Sequence, residues 1–515
     1  MATNREEAAG AAIGSDEEGN LLADPGSVKD AAQLTSKAED DTGPKPKQRP
    51  PPLTWRQRLI PVIVASPLFL QNLDTSVMAT ALPSIAQSLD VEPLHLNLAI
   101  TSYLLSLAVF LPISGWCAER FGPRRVFCFA IACFSVGSAL CGLSNSLGSL
   151  VAFRVIQGIG GAMMVPVGRL ILLSSVSAAH MVAAMVWFTV PPTVGRMVGP
   201  LFGGAIVTWT SWRWIFLVNI PFGVLSIVLA LRFIDEQPRD PLTRQARFDI
   251  VGFVLLAIAL SGLLGALELT GKSLVAAWIT ALVGAVGIAA SWFYYLRSRD
   301  HSNPIIDLKI LRYSAFRASV VGGMPLRIAI GASPFLLPLM LQLGFGLSPL
   351  ASGSITVASA IGALATRGLM SRVIRRFEFR TILVSATVLT SICYASYGLF
   401  TPNTPHALMF CTLMVGGLVN SMGMVSLTTL GFSSIPKRGM SHATTLSSMA
   451  QQLSVSFGVV LGATLVGLTA WLHSGDSTHL TARDFSPTFF AIGMITMLSL
   501  VWFLKLDEHE GDELR

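Results

Sequence analysis

The sequence predicts an all-α integral membrane fold with fourteen transmembrane helices, and three observations carry that prediction. Of 515 residues, 52% are hydrophobic and only 13% charged, against about 25% charged in a soluble domain. The apolar residues fall in long runs such as 251–267 and 489–504, approaching the roughly 20 residues that cross a hydrocarbon core of about 30 Å. Lys and Arg concentrate in alternate connections between these runs, the topology bias of a membrane chain. A soluble core explains none of the three.

Taken in order, residues 1–58 are polar, proline-rich and dense in acids (Asp16-Glu17-Glu18, Glu39-Asp40-Asp41). They lack the apolar core of a signal peptide, so a disordered tail is expected and the first span should act as an uncleaved insertion signal. Spans are expected at 59–81, 95–116, 125–143, 149–172, 182–207 and 213–232, then at 249–267 and 275–296. Six more are expected at 316–340, 349–370, 380–400, 406–430, 443–470 and 486–505, leaving 506–515 as a second tail. An even number puts both termini on one side of the membrane.

With that side as the cytoplasm, the inside connections hold Arg120, Arg124, Arg125, Arg232, Arg239, Arg244 and Arg247. Later inside connections add Arg297, Arg299, Lys309, Arg312, Arg317, Arg367, Arg372, Arg375, Arg376, Arg380, Lys437 and Arg438. The outside connections hold only Arg213, Lys272 and Arg483, so the positive-inside rule makes both termini cytoplasmic. The longest inside connections, 233–248 and 297–315, flank spans seven and eight. They divide the chain into an N-terminal bundle (59–232), a linker with two spans (233–315) and a C-terminal bundle (316–505). Glu119-Arg120-Phe121-Gly122-Pro123-Arg124 and Arg375-Arg376-Phe377-Glu378-Phe379-Arg380 occupy matching hairpins, as expected of duplicated halves around a midplane site.

The net charge of +7 does not indicate a nucleic-acid partner, because the basic residues sit in alternate loops rather than along a groove. The six cysteines (Cys117, Cys128, Cys133, Cys141, Cys393, Cys411) lie in or beside apolar spans. They have neither metal-ligand spacing nor a secreted disulfide setting. No histidine falls at mid-span, His442 being nearest, so a histidine relay is not expected. Gly158-Ile159-Gly160 lies inside an apolar span and is no phosphate loop. No metal, cofactor or enzymatic constellation is expected.

Five runs carry more specific information. They are Leu73-Asp74-Thr75-Ser76-Val77 followed by Ala81-Leu82-Pro83; Gly115-Trp116-Cys117-Ala118-Glu119-Arg120-Phe121-Gly122-Pro123-Arg124-Arg125; Arg154 through Gln157 to Ala162; Gly199-Pro200-Leu201-Phe202-Gly203-Gly204; and Trp212-Arg213-Trp214-Ile215-Phe216 with Asn219 and Pro221-Phe222-Gly223. In order, and at the right spans over about 55–505, these resemble the motifs of the fourteen-helix drug:proton antiporters of the major facilitator type. The resemblance implies the major facilitator fold, a monomer in a bacterial inner (plasma) membrane, and efflux of amphipathic small molecules against protons by alternating access. The alternative is a proton-coupled transporter of an organic anion, working by export or symport.

Asp74 is an acid inside a span, where charge is expensive and marks function. The resemblance makes it the proton-coupling residue, the other reading being a structural partner for an arginine. Arg154 cannot lose its charge, and the resemblance places it, with Gln157, near that acid. Gly115, Glu119, Arg120, Gly122, Arg124 and Arg125 are implied to form a conformational latch at helix ends. The family usually has Asp where this chain has Glu119. Gly195, Gly199, Pro200, Gly203 and Gly204 leave one face of span five nearly bare, which suits close helix packing; their link to antiport comes only from the family. Arg196 and Arg327 depart from the family pattern. Near mid-depth the single acid Asp74 thus stands against Arg154, Arg196 and Arg327, so the cavity leans positive. Two readings of Arg196 and Arg327 stand: counter-ions for an anionic or neutral amphipathic substrate, or donors to backbone carbonyls at helix breaks near Pro325 and Pro334. Phe69, Met78, Phe110, Met163, Met164, Trp187 and Phe188 either line an adaptable cavity or pack as core.

Overall fold

The computed structural model describes residues 55–175, 181–236, 248–269, 276–300, 304–306, 308–433, 435, 440–475 and 480–506. Outside them lie the expected tails up to residue 54 and from 507, and Arg239, Arg244, Lys272, Lys437 and Arg438. Arg247 is also outside, as are the side chains of Trp187, Arg367, Arg375 and His442.

Among the described residues the chain is helical, with no strand. Thirteen helical runs are long and apolar enough to cross a membrane. They are α1 (Leu59–Leu89), α2 (Pro93–Phe110), α3 (Pro123–Gly142), α4 (Leu147–Leu172), α6 (Trp214–Phe233), α7 (Ile250–Leu269) and α8 (Ala277–Arg299). The rest are α9 (Ser314–Gly344), α10 (Pro349–Met370), α11 (Phe379–Gly398), α12 (His406–Phe432), α13 (Ala443–Ser474) and α14 (Ala482–Phe503). The fifth place is held by α5 (Met181–Trp209), a continuous 29-residue helix that is not among the thirteen. Its 29 residues are predominantly apolar and carry a single charge, Arg196, so the expected count of fourteen rests on this helix.

Two local departures have plain causes. The second expected span breaks after Phe110, where Leu111 and Pro112 form a turn before the short helix Ile113–Phe121; proline lacks the N–H that would continue the ladder. The ninth run contains two π-helical segments, Ala318–Gly322 and Met340–Gly344, on either side of an α-helix from Met324 to Leu339. Such widened turns free carbonyls and redirect side chains.

Helices run alternately, so one end of the molecule holds the connections near residues 90, 144 and 211 and the other holds Gly122 and Phe377. At the residue-90 end the six-helix halves meet through main chain. A Cβ on Gly204 of α5 would fall 2.5 Å from the Pro349 carbonyl oxygen of α10. One on Gly353 of α10 would overlap the Pro200 carbonyl of α5. Beside this contact Gln342, on the second π segment, donates to the Thr80 carbonyl of α1 at 2.9 Å. The α7–α8 hairpin packs on itself at Gly262 and Gly287 and is pinned at its other end, where Arg297 donates to Asp249 at 2.8 Å.

Candidate functional site

Glycines bring the site together. A Cβ on Gly137 of α3 would lie 2.6 Å from the backbone nitrogen of Gln157, and Cβ atoms on Gly158 and Gly160 of α4 would press on Ser106 and on the Ala130 carbonyl, each at 2.6 Å. The run from Arg154 to Ala162 is thus a close-packing surface that lets α4 lie against α2 and α3. Its polar members, Arg154 and Gln157, are carried into the protein interior, 1% and 0% exposed.

There they meet Asp74 of α1, also 1% exposed. Arg154 Nη1 donates to Asp74 Oδ2 at 2.6 Å and to Gln157 Oε1 at 2.8 Å. Gln157 Nε2 and Asn219 Nδ2 donate to Asp74 Oδ1 at 3.1 and 3.2 Å. Asn219 Nδ2 also reaches Ser138 Oγ at 2.9 Å, and the Ser138 hydroxyl donates to the Phe216 carbonyl. The guanidinium carbon of Arg154 stands 4.8 Å from the Phe216 ring centroid and 5.4 Å from that of Tyr103. Five helices of one half therefore converge on one carboxylate.

Such a pair contributes little net stability, because desolvating two charges offsets most of their attraction. Its chemistry is a change of charge. Protonating Asp74 cancels the attraction on Arg154 and converts an acceptor-only carboxylate into a group with an O–H donor. Two other buried acids are paired at helix ends: Asp249 with Arg297, and Asp484 with His473 at 2.8 Å.

The two unusual arginines have different surroundings. Arg196 is exposed, and its Nη2 donates to Asn72 Oδ1 of α1 at 2.8 Å. Arg327 is 2% exposed. Its Nη1 donates to the Ser319 carbonyl at 2.7 Å and the Val320 carbonyl at 3.4 Å, both within the first π segment of α9. Its geometry is that of a donor at a helix break.

The glycine-rich run of α5 has two working faces. Gly195, Gly199 and Gly203 admit Phe69, Ser76 and Val77 of α1, whereas Pro200 and Gly204 meet α10. In the loop motif, Gly122 takes φ 92°, which disfavours any side chain. Arg124 donates to the Leu231 carbonyl, and Arg125 pairs with Glu236 at 2.8 Å, so both tie the start of α3 to the end of α6 and its following turn. Glu119 and Arg120 are exposed, and Gly115 has open space where a Cβ would stand. Met78, Met163, Met164 and Phe188 are buried core.

Sequence reasoning had Asn219 only as a motif member and did not single out Ser138, Tyr103 or Asn72. Asn72 carried a signal of its own, an amide two residues from the membrane acid. Ser138 and Tyr103 carried none, since hydroxyls are common in apolar spans.

Residues 67–459 match the sequence profile of the Major Facilitator Superfamily. The chain is 36% identical over 447 residues, 86% of its length and 94% of the relative's, to a Salmonella heidelberg (strain SL476) protein named for multidrug resistance, MdtD. The same holds for MdtD of Salmonella typhimurium. In fold it is similar to a D-xylose-proton symporter, with TM-score 0.63, 16% identity and coverage of 88% of this chain and 98% of that one. It is also similar to an auto-inhibited peptide transporter of the POT family, with TM-score 0.64, 15% identity and coverage of 87% and 96%.

Proposed function

The chain belongs to the Major Facilitator Superfamily, and from that premise we propose that it is a proton-driven exporter of amphipathic small molecules that works by alternating access. The observation that carries the reading is the sealed carboxylate: Asp74, 1% exposed and held by Arg154, Gln157 and Asn219. No covalent chemistry is required of it.

In this reading residues 59–232 and 316–505 are the moving bundles and 233–315 the linker between them. The residue-122 end is cytoplasmic, both tails lie on that side, and the chain acts as a monomer in the inner membrane. Closure through Gly204 and Gly353 at the residue-90 end makes this a state shut to the outside. Substrate enters between the halves from the cytoplasm. A proton reaches Asp74 when the outer end opens, frees Arg154, and biases the bundles toward the other packing. Arg124 and Arg125 hold α3 to the α6 end within one half here, and they exchange partners as the cytoplasmic end closes.

The test is reconstitution in liposomes with an internal pH dye and a panel of cationic, neutral and anionic amphiphiles. Substrate-driven proton movement in the wild type and its loss in Asp74→Asn are expected. Undiminished movement in Asp74→Asn would place coupling elsewhere. The direction of proton flow relative to substrate separates antiport from symport.

A further inference from the structure

Arg196 stands at the sixteenth residue of the 29-residue α5, so at 1.5 Å per residue it is ~20 Å from either helix end. That is farther than an arginine side chain extends, so snorkelling to an interface does not explain it. A permanent cation at such depth is tolerated where it faces protein or a water-filled cavity. Arg196 is nonetheless exposed, and its helical register says to what. Residues 196, 200 and 204 share one face of α5, and Pro200 and Gly204 of that face press against α10 of the other half. Arg196 therefore sits one turn inward of the main-chain contact, on the face turned toward the opposite bundle.

The opposing wall carries no countercharge. One turn inward of Gly353 on α10 is Val357, and a further turn brings Ile361, 39% exposed. Ser352–Thr366 contains no acid at all. Among the described residues the polar partner of the Arg196 guanidinium is neutral, Asn72 Oδ1. That amide is oriented by its own Nδ2, which donates to the Leu68 carbonyl at 2.9 Å, and Ser76 Oγ donates to the Arg196 carbonyl at 3.0 Å. The guanidinium is thus braced from α1 at one nitrogen while the rest of its donor fork, suited to planar oxyanions, is not consumed by a carboxylate. Asp74 cannot serve as its counter-ion, being already neutralised by Arg154.

We propose that Arg196, braced by Asn72, is the binding site for the acidic group of an amphipathic organic anion, a carboxylate or sulfonate, whose apolar body lies against Val357 and Ile361 of α10. This rests on the transport reading above and assigns its substrate class. Arg327, bound to carbonyls, takes no part.

The experiment measures equilibrium binding of two amphipathic sulfonates, radiolabelled taurocholate and anilinonaphthalene sulfonate, and of ethidium to the full chain in lipid nanodiscs. Both sulfonates should bind the wild type and ethidium should not compete. Arg196→Gln should weaken sulfonate binding about tenfold and Arg196→Lys about threefold, with unfolding temperatures near that of the wild type. Asn72→Ala, which leaves the charge in place, is a second variant expected to weaken binding about threefold. Equal sulfonate binding by wild type and both Arg196 variants, no sulfonate binding, or displacement of sulfonate by ethidium overturns the inference. Parallel liposome measurements separate the two readings. Sulfonate binding that depends on Arg196 without proton movement removes the proton-driven exporter and keeps the anion site. Ethidium-driven proton movement that is indifferent to Arg196 does the reverse.

Discussion

Among the described residues each half of the molecule buries one arginine, and the two sit in contrasting company. Arg154 in the N-terminal half faces the carboxylate of Asp74, while Arg327 in the C-terminal half faces the carbonyls of Ser319 and Val320. A carboxylate partner can be neutralised by one proton, so the first arrangement can switch. A peptide carbonyl does not titrate at any relevant pH, so the second is fixed. Two further polar contacts of the C-terminal interior are uncharged as well. Tyr394 donates its hydroxyl to the Ala329 carbonyl at 2.7 Å, and Thr390 donates to Asn420 Oδ1 at 2.9 Å.

The comparison can be broken in four places. Asp74→Asn should lower substrate-driven proton movement by about 100-fold or more, since no other acid lies at that depth; exchange of labelled substrate without a proton gradient should survive it. Full coupling in this variant would dissolve the contrast between the halves. Gly353→Val should cut transport by about tenfold, because a side chain cannot fit against the Pro200 carbonyl and the halves cannot meet. The same variant should make Thr80→Cys, at a position 0% exposed in the parent, reactive toward an impermeant thiol reagent.

Arg327→Met should leave the substrate profile unchanged and reduce stability by about 1–3 kcal/mol, through carbonyls left without a donor. A thermal unfolding series in detergent reads the loss, and an altered substrate preference would contradict the fixed role. Tyr394→Phe should be the mildest, about 1 kcal/mol for one hydrogen bond, with transport at the parental rate.

Much of the half that holds Asp74 was legible in the sequence, for a physical reason. Charge inside an apolar run is expensive and therefore rare, so Asp74 and Arg154 stood out without knowledge of neighbours. Their pairing came from resemblance and not from the residues, because nothing in one sequence says which faces of α1 and α4 meet. Arg327 was ambiguous because hydropathy carries no trace of the π-helical turn it staples. Arg196 was ambiguous because its exposure depends on where α5 parts from α10.

The neutrality of the Asp74–Arg154 pair has an electrical consequence. A resting pair that sums to zero adds no net charge of its own, and over a complete cycle the protein's other charges return to where they began, so the charge moved per cycle is that of what is carried. One proton moving inward for one cation moving outward carries no net charge. One proton inward for one anion outward moves two charges in the same sense, about 4.6 kcal/mol per 100 mV of interior-negative potential. A current through a planar bilayer, recorded at equal pH on both sides, would then report the sign of the cargo before its identity is known.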